Sequence, residues 1–307
     1  MTLLRRLIAR AVKCFDPFLE SRHLMRIANL AGRATIVTDH GLIDVATASN
    51  GAFSASVDKN IARLDTLHTW LASAQPAVTS EITPDELYGD PRLGPVVTSP
   101  QQIFGVGLNY RHHADEMKMS LPSEPMVFTK FASSLCGPND ELPVRGETTD
   151  FEAELVVVVS KRARDLAQEE ALGVVAGYCV GQDFSERTLQ RRGASPQYSL
   201  AKSYRNFTPV GPWLTTTDDI TDPNDLSISC WVNDVQYQNS TTGDMIFPVA
   251  EIVSYLSSIV ELRPGDLIFT GTPHGVGQGQ HPPVFLKPGD RVVTAIERLG
   301  QIENVAT

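Results

Sequence analysis

The chain lacks several features that would assign it to whole classes of protein. Its 307 residues contain four cysteines, and none of them has the C-x-x-C spacing of redox or zinc motifs. A disulfide framework is therefore disfavoured, and we expect reduced thiols in a cytoplasmic protein. No apolar run is long enough to span a membrane. The cysteines are Cys14, Cys136, Cys179 and Cys230.

Basic residues are also fewer than acidic residues. Lys and Arg number 26 against 36 Asp and Glu, which gives a formal net charge of -10. Because nucleic acids and anionic membranes attract basic surfaces, neither is an expected partner. The length and the 42% hydrophobic content are those of an ordinary globular enzyme. Small-molecule chemistry is the favoured function.

The glycine clusters do not match nucleotide-binding motifs. Tyr110 stands where a dinucleotide fingerprint that begins at Gly105 and Gly107 needs its third glycine. The glycine-rich segment 271–279 lacks the Gly-Lys-Ser/Thr of a phosphate loop. Its backbone N–H groups and the Thr272 hydroxyl are suited to a carboxylate ligand, although a plain loop explains the same residues. Nucleotide binding is therefore disfavoured.

Three segments are predicted from pattern. Residues 1–23 form a basic amphipathic helix that is typical of an organellar presequence, but it has no small-residue cleavage motif. We therefore expect a retained helix in a cytoplasmic protein rather than a mitochondrial leader. Residues 24–100 form a small N-terminal domain and a linker, with strands at 25–28, 34–37 and 42–46 and a helix at 61–71. Residues 101–307 form the larger domain, in which the candidate catalytic residues lie.

The larger domain alternates strand patterns with Gly/Pro turns, which predicts an α+β, β-rich fold. The clearest helix is 249–259, which follows Pro248 and ends before Pro264. The predicted strands are 102–106, 126–130, 155–160, 174–182, 226–232, 267–270 and 290–296.

Two glutamates at the head of a buried strand are the first candidate site. Glu152 and Glu154 precede an apolar valine-rich run, and their spacing places them on one face of the strand. Two like charges entering a core are costly unless a cation neutralises them. With no Cys or His in the segment, the oxygen ligands favour Mg²⁺, Mn²⁺ or Ca²⁺ over zinc. The alternative is a solvated strand end, or pairing with lysines.

Two further patterns carry possible chemistry. His113 and Glu116 are three residues apart, so in a helix they meet on one face as a general acid/base pair; an incidental pair on a solvated helix is the alternative. Asp183 ends an apolar strand, and Arg187 and Gln190 follow it with the spacing of one helical face. Lys202 comes shortly after them.

These motifs together resemble the fumarylacetoacetate hydrolase family, in its acylpyruvase and 2-hydroxyhepta-2,4-diene-1,7-dioate isomerase-like branch. The resemblance covers residues 102–305. The matching strings are GLNY at 107–110 with His113 and Glu116, FTK at 128–130, DFEAEL at 150–155, GY at 177–178 through Asp183, AKS at 201–203, FTPVGPW at 207–213, DMIFP at 244–248, PGD at 264–266 and TGTPHGVG at 270–277.

The resemblance implies a fold and a set of residue roles. The fold is a mixed β-sandwich roll with a small N-terminal domain, assembled as a homodimer. The implied ligands of Mg²⁺ or Mn²⁺, with Ca²⁺ as a crystallographic substitute, are Glu152, Glu154 and Asp183. Lys202 lies beside the metal, and His113 and Glu116 form an acid/base pair on a short lid helix. The implied substrate contacts are Arg187, Gln190 and Thr272.

The implied reaction is cleavage of a carbon–carbon bond in a 2,4-dioxo acid such as an acylpyruvate, through an enolate that the metal and Lys202 stabilise. A 2-hydroxymuconate-type isomerase or a 2-oxo acid decarboxylase would use the same site. A non-catalytic ligand-binding homologue is the alternative from another class. Two positions depart from the common pattern. Arg205 adds a cation that favours a diacid substrate, and Gln182 stands where Asn is frequent.

Overall fold

The structure is a computed structural model that describes residues 25–220 and 222–307. The helix predicted at 1–23 lies outside the described residues. Among the helices that the structure describes, none is long and apolar enough to cross a membrane.

Seventeen strands are present in the described residues. Eleven form one large sheet, four form a second sheet and two form a short pair. In chain order they are β1 Arg26–Leu30, β2 Arg33–Thr38, β3 Gly41–Asp44, β4 Leu93–Gly94, β5 Ile103–Gly107, β6 Met126–Thr129, β7 Leu135–Cys136, β8 Thr149–Asp150, β9 Ala153–Val159, β10 Val175–Gln182, β11 Ser185–Glu186, β12 Thr208–Thr216, β13 Ser227–Val232, β14 Val235–Thr241, β15 Leu267–Phe269, β16 Arg291–Ile296 and β17 Gly300–Val305.

The helices are short and lie between the strands. The α-helices are α1 Val45–Ala48, α2 Val57–Ile61, α3 Leu64–Ala74, α4 Pro84–Leu87, α5 Arg111–Glu116, α6 Arg187–Gln190, α7 Tyr198–Ala201 and α8 Val249–Ile259. Single-turn or slightly longer 3₁₀ helices occupy Ala132–Ser134, Gln168–Val174, Thr242–Asp244 and Gly277–Gly279.

The large sheet has the order β3-β2-β1-β12-β10-β9-β15-β5-β6, with β4 beside β1 and β7 beside β12. Its centre is the antiparallel pair β9 and β10, in which every residue is buried. The valine run of β9 is apolar on both faces, as expected of a strand that is covered on both sides. The parallel pairing of β15 with β5 makes the sheet mixed.

The second sheet has the order β14-β13-β16-β17 and covers one face of the first. Ile228, Ile296 and Ile302 from this sheet share a hydrophobic cluster with Val157 and Val180 of the central strands. A mixed sheet packed against an antiparallel sheet, with peripheral helices, confirms the predicted β-rich α+β class.

The N-terminal strands extend the large sheet. β1 pairs with β12 through Arg26 opposite Thr215 and Ile27 opposite Leu214. A second hydrophobic cluster combines Ile36 and Leu67 of the N-terminal segment with Val156 of β9. Residues 25–100 therefore pack directly on the central strands, and the domain boundary at residue 100 stays a prediction.

Two predicted elements of the N-terminal segment were wrong in detail. The strand predicted at 42–46 ends at Asp44, whose side chain accepts a hydrogen bond from Thr47 N and begins helix α1. The helix predicted at 61–71 corresponds to α3 Leu64–Ala74, and Ile61 is instead the last residue of α2. The buried side chain of Asn60 in α2 hydrogen-bonds to the backbone of Ser54.

One buried carboxyl in this region gives a pH-dependent prediction. Asp219 Oδ2 accepts a hydrogen bond from Met25 N at 3.0 Å, and burial raises the pKa of Asp219 to about 6. Since the pKa of an unfolded Asp is about 3.9, the ionised carboxylate is disfavoured in the folded state. The free energy of unfolding should therefore fall as pH rises from about 4 to about 6.

Asp219→Asn removes the charge but keeps an acceptor for Met25. We expect the free energy of unfolding at pH 7 to rise by about 1 kcal/mol, a value discounted for partial solvent screening. The gain should vanish near pH 4, where the wild-type carboxyl is protonated. Urea denaturation at both pH values measures this, with the exposed Asp234→Asn as a control. A loss of stability at pH 7 would contradict it.

Candidate active site

Three acidic residues meet at one end of the central strands. Glu154 is the second residue of β9, and Glu152 immediately precedes that strand. Asp183 directly follows the neighbouring β10, and its backbone N–H donates to Glu152 O at 2.9 Å. All three are buried, and one potential ligand atom from each lies within 4.8 Å of the others. The antiparallel register of β9 and β10 thus brings the predicted ligands together.

Two buried glutamines fix the backbone that carries these acids. Gln182 Oε1 accepts from Glu152 N at 2.7 Å, and its amide nitrogen donates to Thr294 Oγ1 of the second sheet at 2.8 Å. Gln238 Oε1 accepts from Ala153 N at 2.9 Å. Side chains therefore satisfy backbone donors that the sheet ladder does not reach. Gln182 thus connects the backbone of Glu152 to the second sheet.

Two buried lysines neutralise part of the acidic charge. Lys202 Nζ donates to Glu152 Oε2 at 2.6 Å, Asp183 Oδ2 at 2.7 Å and Ser185 Oγ at 2.8 Å. Lys130 Nζ donates to Asp183 Oδ1 and also to the carbonyl of Lys202 at 2.6 Å. The sequence predicted Lys202 beside the acids but assigned no role to Lys130. Lys130 is the last residue of the predicted strand 126–130, but its partner Asp183 lies 53 residues away.

Arg187 provides the third cation. Its Nη2 donates to Glu152 Oε1 at 2.5 Å, its Nε to Asp150 Oδ2 at 2.8 Å and its Nη1 to Gln190 Oε1 at 2.9 Å. Asp150 is fully buried and was not predicted as a site residue, although it opens the same acidic string. Arg187 thus neutralises two acids and holds Gln190. Substrate contact by Arg187 and Gln190 stays a prediction.

Thr272, the third predicted substrate contact, is buried beside the same strands. Its hydroxyl accepts from Gln238 Nε2 at 2.8 Å, which ties it to the residue that supports Ala153. Gly271, one residue earlier, donates its backbone N–H to Glu154 Oε2 at 2.7 Å. The glycine-rich segment therefore contacts Glu154, while its binding of a carboxylate ligand stays a prediction. Arg205, by contrast, is exposed in the turn after Lys202.

The two glutamates have different electrostatic environments. Burial raises the pKa of Glu152, but Lys202 and Arg187 outweigh burial and lower it to about 2. Burial, together with Asp183 and Glu152, raises the pKa of Glu154 well above its usual value. No ion pair among the described residues includes Glu154. Glu154 is therefore the acid in the cluster that lacks a cationic partner.

The charge balance of this centre fits a bound cation. The carboxylate cluster, defined as Asp150, Glu152, Glu154 and Asp183, faces three cations, Lys130, Arg187 and Lys202, within hydrogen-bonding distance. One negative charge is left over when all seven groups are ionised, and it lies in a buried site. Oxygen-only donors suit a hard divalent ion better than zinc. Glu152, Glu154 and Asp183 are the residues that would hold it.

A buried hydroxyl points to a further molecule in this region. Tyr110 is fully buried, and within residues 25–220 and 222–307 its phenolic oxygen has no hydrogen-bond partner. Burial and the neighbouring charges of Glu154 and Asp244 raise the pKa of Tyr110. Because a buried hydroxyl is rarely left unpaired, water or a ligand oxygen is the expected partner.

The two residues of the predicted acid/base pair are in contact on helix α5, while their acid/base role stays a prediction. His113 Nδ1 lies 2.9 Å from Glu116 Oε2, and His113 is buried. Glu116 Oε1 accepts from the backbone N–H of Gly275 at 2.9 Å. Asn109, just before the helix, bonds to the carbonyls of Phe247 and Thr270 and fixes its start. The helix is therefore docked on the same glycine-rich segment that contacts Glu154.

The fold and the centre define a class of β-rich proteins in which a buried acidic site suited to a divalent cation lies near a His–Glu pair. The chain belongs to the fumarylacetoacetate hydrolase family: residues 102–307 match the family described as fumarylacetoacetate (FAA) hydrolase C-terminal. Members of this superfamily are enzymes, both hydrolases and isomerases. The resemblance drawn from the sequence motifs is confirmed.

Solved structures give the same relationship over almost the whole chain. A Mycobacterium smegmatis protein assigned as HpcE is 42% identical, with a TM-score of 0.85 over 92% of this chain and 99% of that one. A Mycobacterium abscessus protein assigned as a 2-hydroxyhepta-2,4-diene-1,7-dioate isomerase is 28% identical, with a TM-score of 0.77 over 92% and 98%. Maleylpyruvate hydrolase from Sphingobium sp. SYK-6, solved with manganese(II) and pyruvate, is 28% identical, with a TM-score of 0.75 over 92% and 99%.

Proposed function

We propose that this protein is a hydrolase that uses Mg²⁺ or Mn²⁺ to cleave a carbon–carbon bond in 2,4-dioxo acids such as acylpyruvates. The observation that carries the proposal is that one segment contacts both the carboxylate cluster and the His113–Glu116 pair. Gly271 N donates to Glu154, and Gly275 N donates to Glu116, which is paired with His113. An acid/base pair beside a cation site is what hydrolysis at a carbonyl requires.

The substrate class follows from the charges. When bound, a divalent cation would supply Lewis-acid polarisation of a 2-oxo carboxylate. The manganese and pyruvate in the Sphingobium structure support this choice of ion and of product. Lys202 is buried against Glu152 and Asp183, where its ammonium can stabilise negative charge developing on the 2-oxo oxygen. An anionic oxo acid also complements a centre that gains two positive charges with the ion.

His113 is placed to act as the base toward water. Glu116 engages its Nδ1, which leaves Nε2 to accept a proton from water. The oxygen of that water bonds to C4 of the dioxo acid, the C3–C4 bond breaks, and its electron pair moves toward C3 and the 2-oxo oxygen. Protonation of C3 then gives pyruvate, and C4 leaves as a carboxylic acid. One water is consumed for each pyruvate formed.

An isomerase is the second candidate. The Mycobacterium abscessus neighbour, assigned as a dienedioate isomerase, has the same fold over 92% of this chain. Double-bond migration needs the same polarised oxo acid and a group that moves a proton, but it needs no water. Because either reaction can use the His113–Glu116 pair to move a proton, the observation that favours the hydrolase is the pyruvate in the Sphingobium hydrolase structure.

Product analysis tests the proposal. With Mg²⁺ or Mn²⁺, we expect acylpyruvates to give pyruvate and the matching carboxylic acid in equal amounts, and chelation of the metal should stop the reaction. The measurement is quantitative chromatography of a panel of dioxo acids. A single product of unchanged mass would favour the isomerase. No turnover of any oxo acid would favour a non-catalytic binding protein.

A further inference from the structure

The glycine loop, defined as residues 271–279, contacts both the His113–Glu116 pair and the carboxylate cluster through its backbone. Gly275 N donates to Glu116 Oε1 at 2.9 Å. Gly277 N donates to Asp150 Oδ1 at 2.7 Å, and Gln278 N donates to Asp150 Oδ2 at 3.1 Å. Asp150 in turn binds Arg187, which binds Glu152. The loop is therefore held by its hydrogen bonds to Asp150, and it also donates a hydrogen bond to Glu116.

Gly279 is packed directly against the Glu116 carboxylate. A Cβ atom at this position would lie 2.5 Å from both Cδ and Oε1 of Glu116 and 2.9 Å from Oε2. Distances this short are not sustained by real Cβ atoms, so one of the two groups would have to move. The backbone of Gly279 is not among those with positive φ, so the loop itself can accept an alanine.

The group that would move is the carboxylate. Glu116 ends a flexible side chain, whereas the loop is held by the two hydrogen bonds to Asp150. Any displacement of the carboxylate changes its 2.9 Å contact with His113 Nδ1. An added methyl group at residue 279 would thus act on the imidazole without touching the metal ligands.

We propose that Gly279 is a positioning residue, whose lack of a side chain makes room for Glu116 to orient His113. Its effect on turnover depends on the proposed hydrolase function, whereas its effect on the Glu116–His113 contact does not. A 1 Å misplacement of a catalytic group costs up to about 100-fold in rate. We therefore expect Gly279→Ala to lower kcat by about 10-fold to 100-fold, with little change in KM.

The matched control is Gly173→Ala. Gly173 has no heavy atom within 4 Å of the Cβ position and no positive φ, so the same added methyl group meets open space there. We expect Gly173→Ala to turn over substrate at the wild-type rate. Mn²⁺ titration by calorimetry should give the same affinity for Gly279→Ala, Gly173→Ala and the wild-type protein.

A double-mutant cycle separates positioning from a general structural effect. If Gly279 acts through Glu116, Gly279→Ala should have no further effect on kcat in the Glu116→Ala background. The same loss in both backgrounds would overturn the proposal, and so would wild-type kcat in the single variant.

A spectroscopic measurement tests the proposal without turnover. The ¹⁵N chemical shifts of the His113 imidazole report whether Nδ1 is hydrogen-bonded, and we expect Gly279→Ala to shift them toward those of Glu116→Ala. Unchanged shifts would contradict the proposal. If no dioxo acid is turned over, the proposed function fails while these shifts still decide the role of Gly279.

Discussion

Glu154→Ala is expected to lower the affinity for Mn²⁺ by at least about 100-fold. Loss of a residue that binds the ion directly should cost more than loss of a hydrogen bond to such a residue. Glu154 is the acid of the cluster that no described cation pairs with, and its pKa is raised by burial beside Asp183 and Glu152. A divalent ion is the partner that this environment lacks. Isothermal titration calorimetry with Mn²⁺ measures the change.

The control for this variant is Glu303→Ala. Glu303 pairs with Arg291 away from the cluster, so its loss should leave Mn²⁺ affinity unaltered. Thermal unfolding of the metal-free proteins shows whether Glu154→Ala still folds, and Glu154→Gln keeps the side-chain volume if it does not. Unchanged Mn²⁺ binding in both Glu154 variants would exclude Glu154 as a ligand.

His113→Ala is expected to reduce kcat by about 100-fold or more, the usual scale for a lost acid/base group. The variant keeps all four residues of the carboxylate cluster, so Mn²⁺ affinity should equal that of the wild-type protein. Steady-state kinetics with an acylpyruvate measures kcat, and calorimetry measures metal affinity.

His112→Ala is the matched control for this second variant. His112 is the preceding residue of α5, but its imidazole is largely exposed and pairs with Asp244 instead of Glu116. We expect its kcat to stay within a few-fold of the wild-type value, by analogy with surface substitutions. Equal losses in both histidine variants would mean that helix α5 contributes only structurally, and normal turnover in His113→Ala would place water activation elsewhere.

Local spacing explains which parts of the site could be predicted from sequence. Glu152 and Glu154 are two residues apart and His113 and Glu116 three, so strand and helix periodicity suffice to pair them. Lys130 contacts Asp183 across 53 residues, and Arg187 contacts Asp150 across 37. No periodicity reports such distances, so the ion pairs of Lys130 with Asp183 and of Arg187 with Asp150 could be found only from the fold.

The missed strands have a similar physical cause. The central strand β12 contains Pro209, Gly211 and Pro212, which are typical of turns, yet all nine of its residues are buried between β10 and β1. Partner strands on both sides override the local preference of these residues. β14 was missed because it is a mostly polar outer strand, VQYQNST, with a single buried position, Gln238.

The predicted strand cores were close to those observed, because long apolar runs identify buried strands well. Strand 174–182 corresponds to β10 Val175–Gln182, and helix 249–259 is α8 Val249–Ile259. Boundaries moved where a side chain ends an element, as that of Asp44 does at the last residue of β3. The sequence pattern did not predict that the N-terminal strands would join the large sheet.

The most direct test of the account is the fate of solvent oxygen during turnover. An acylpyruvate is incubated with the protein and Mn²⁺ in ¹⁸O-water, and the products are analysed by mass spectrometry. The hydrolase account predicts one solvent oxygen in each molecule of released carboxylic acid, together with an equal amount of pyruvate. A single product of unchanged mass, with no carboxylic acid released, would contradict it.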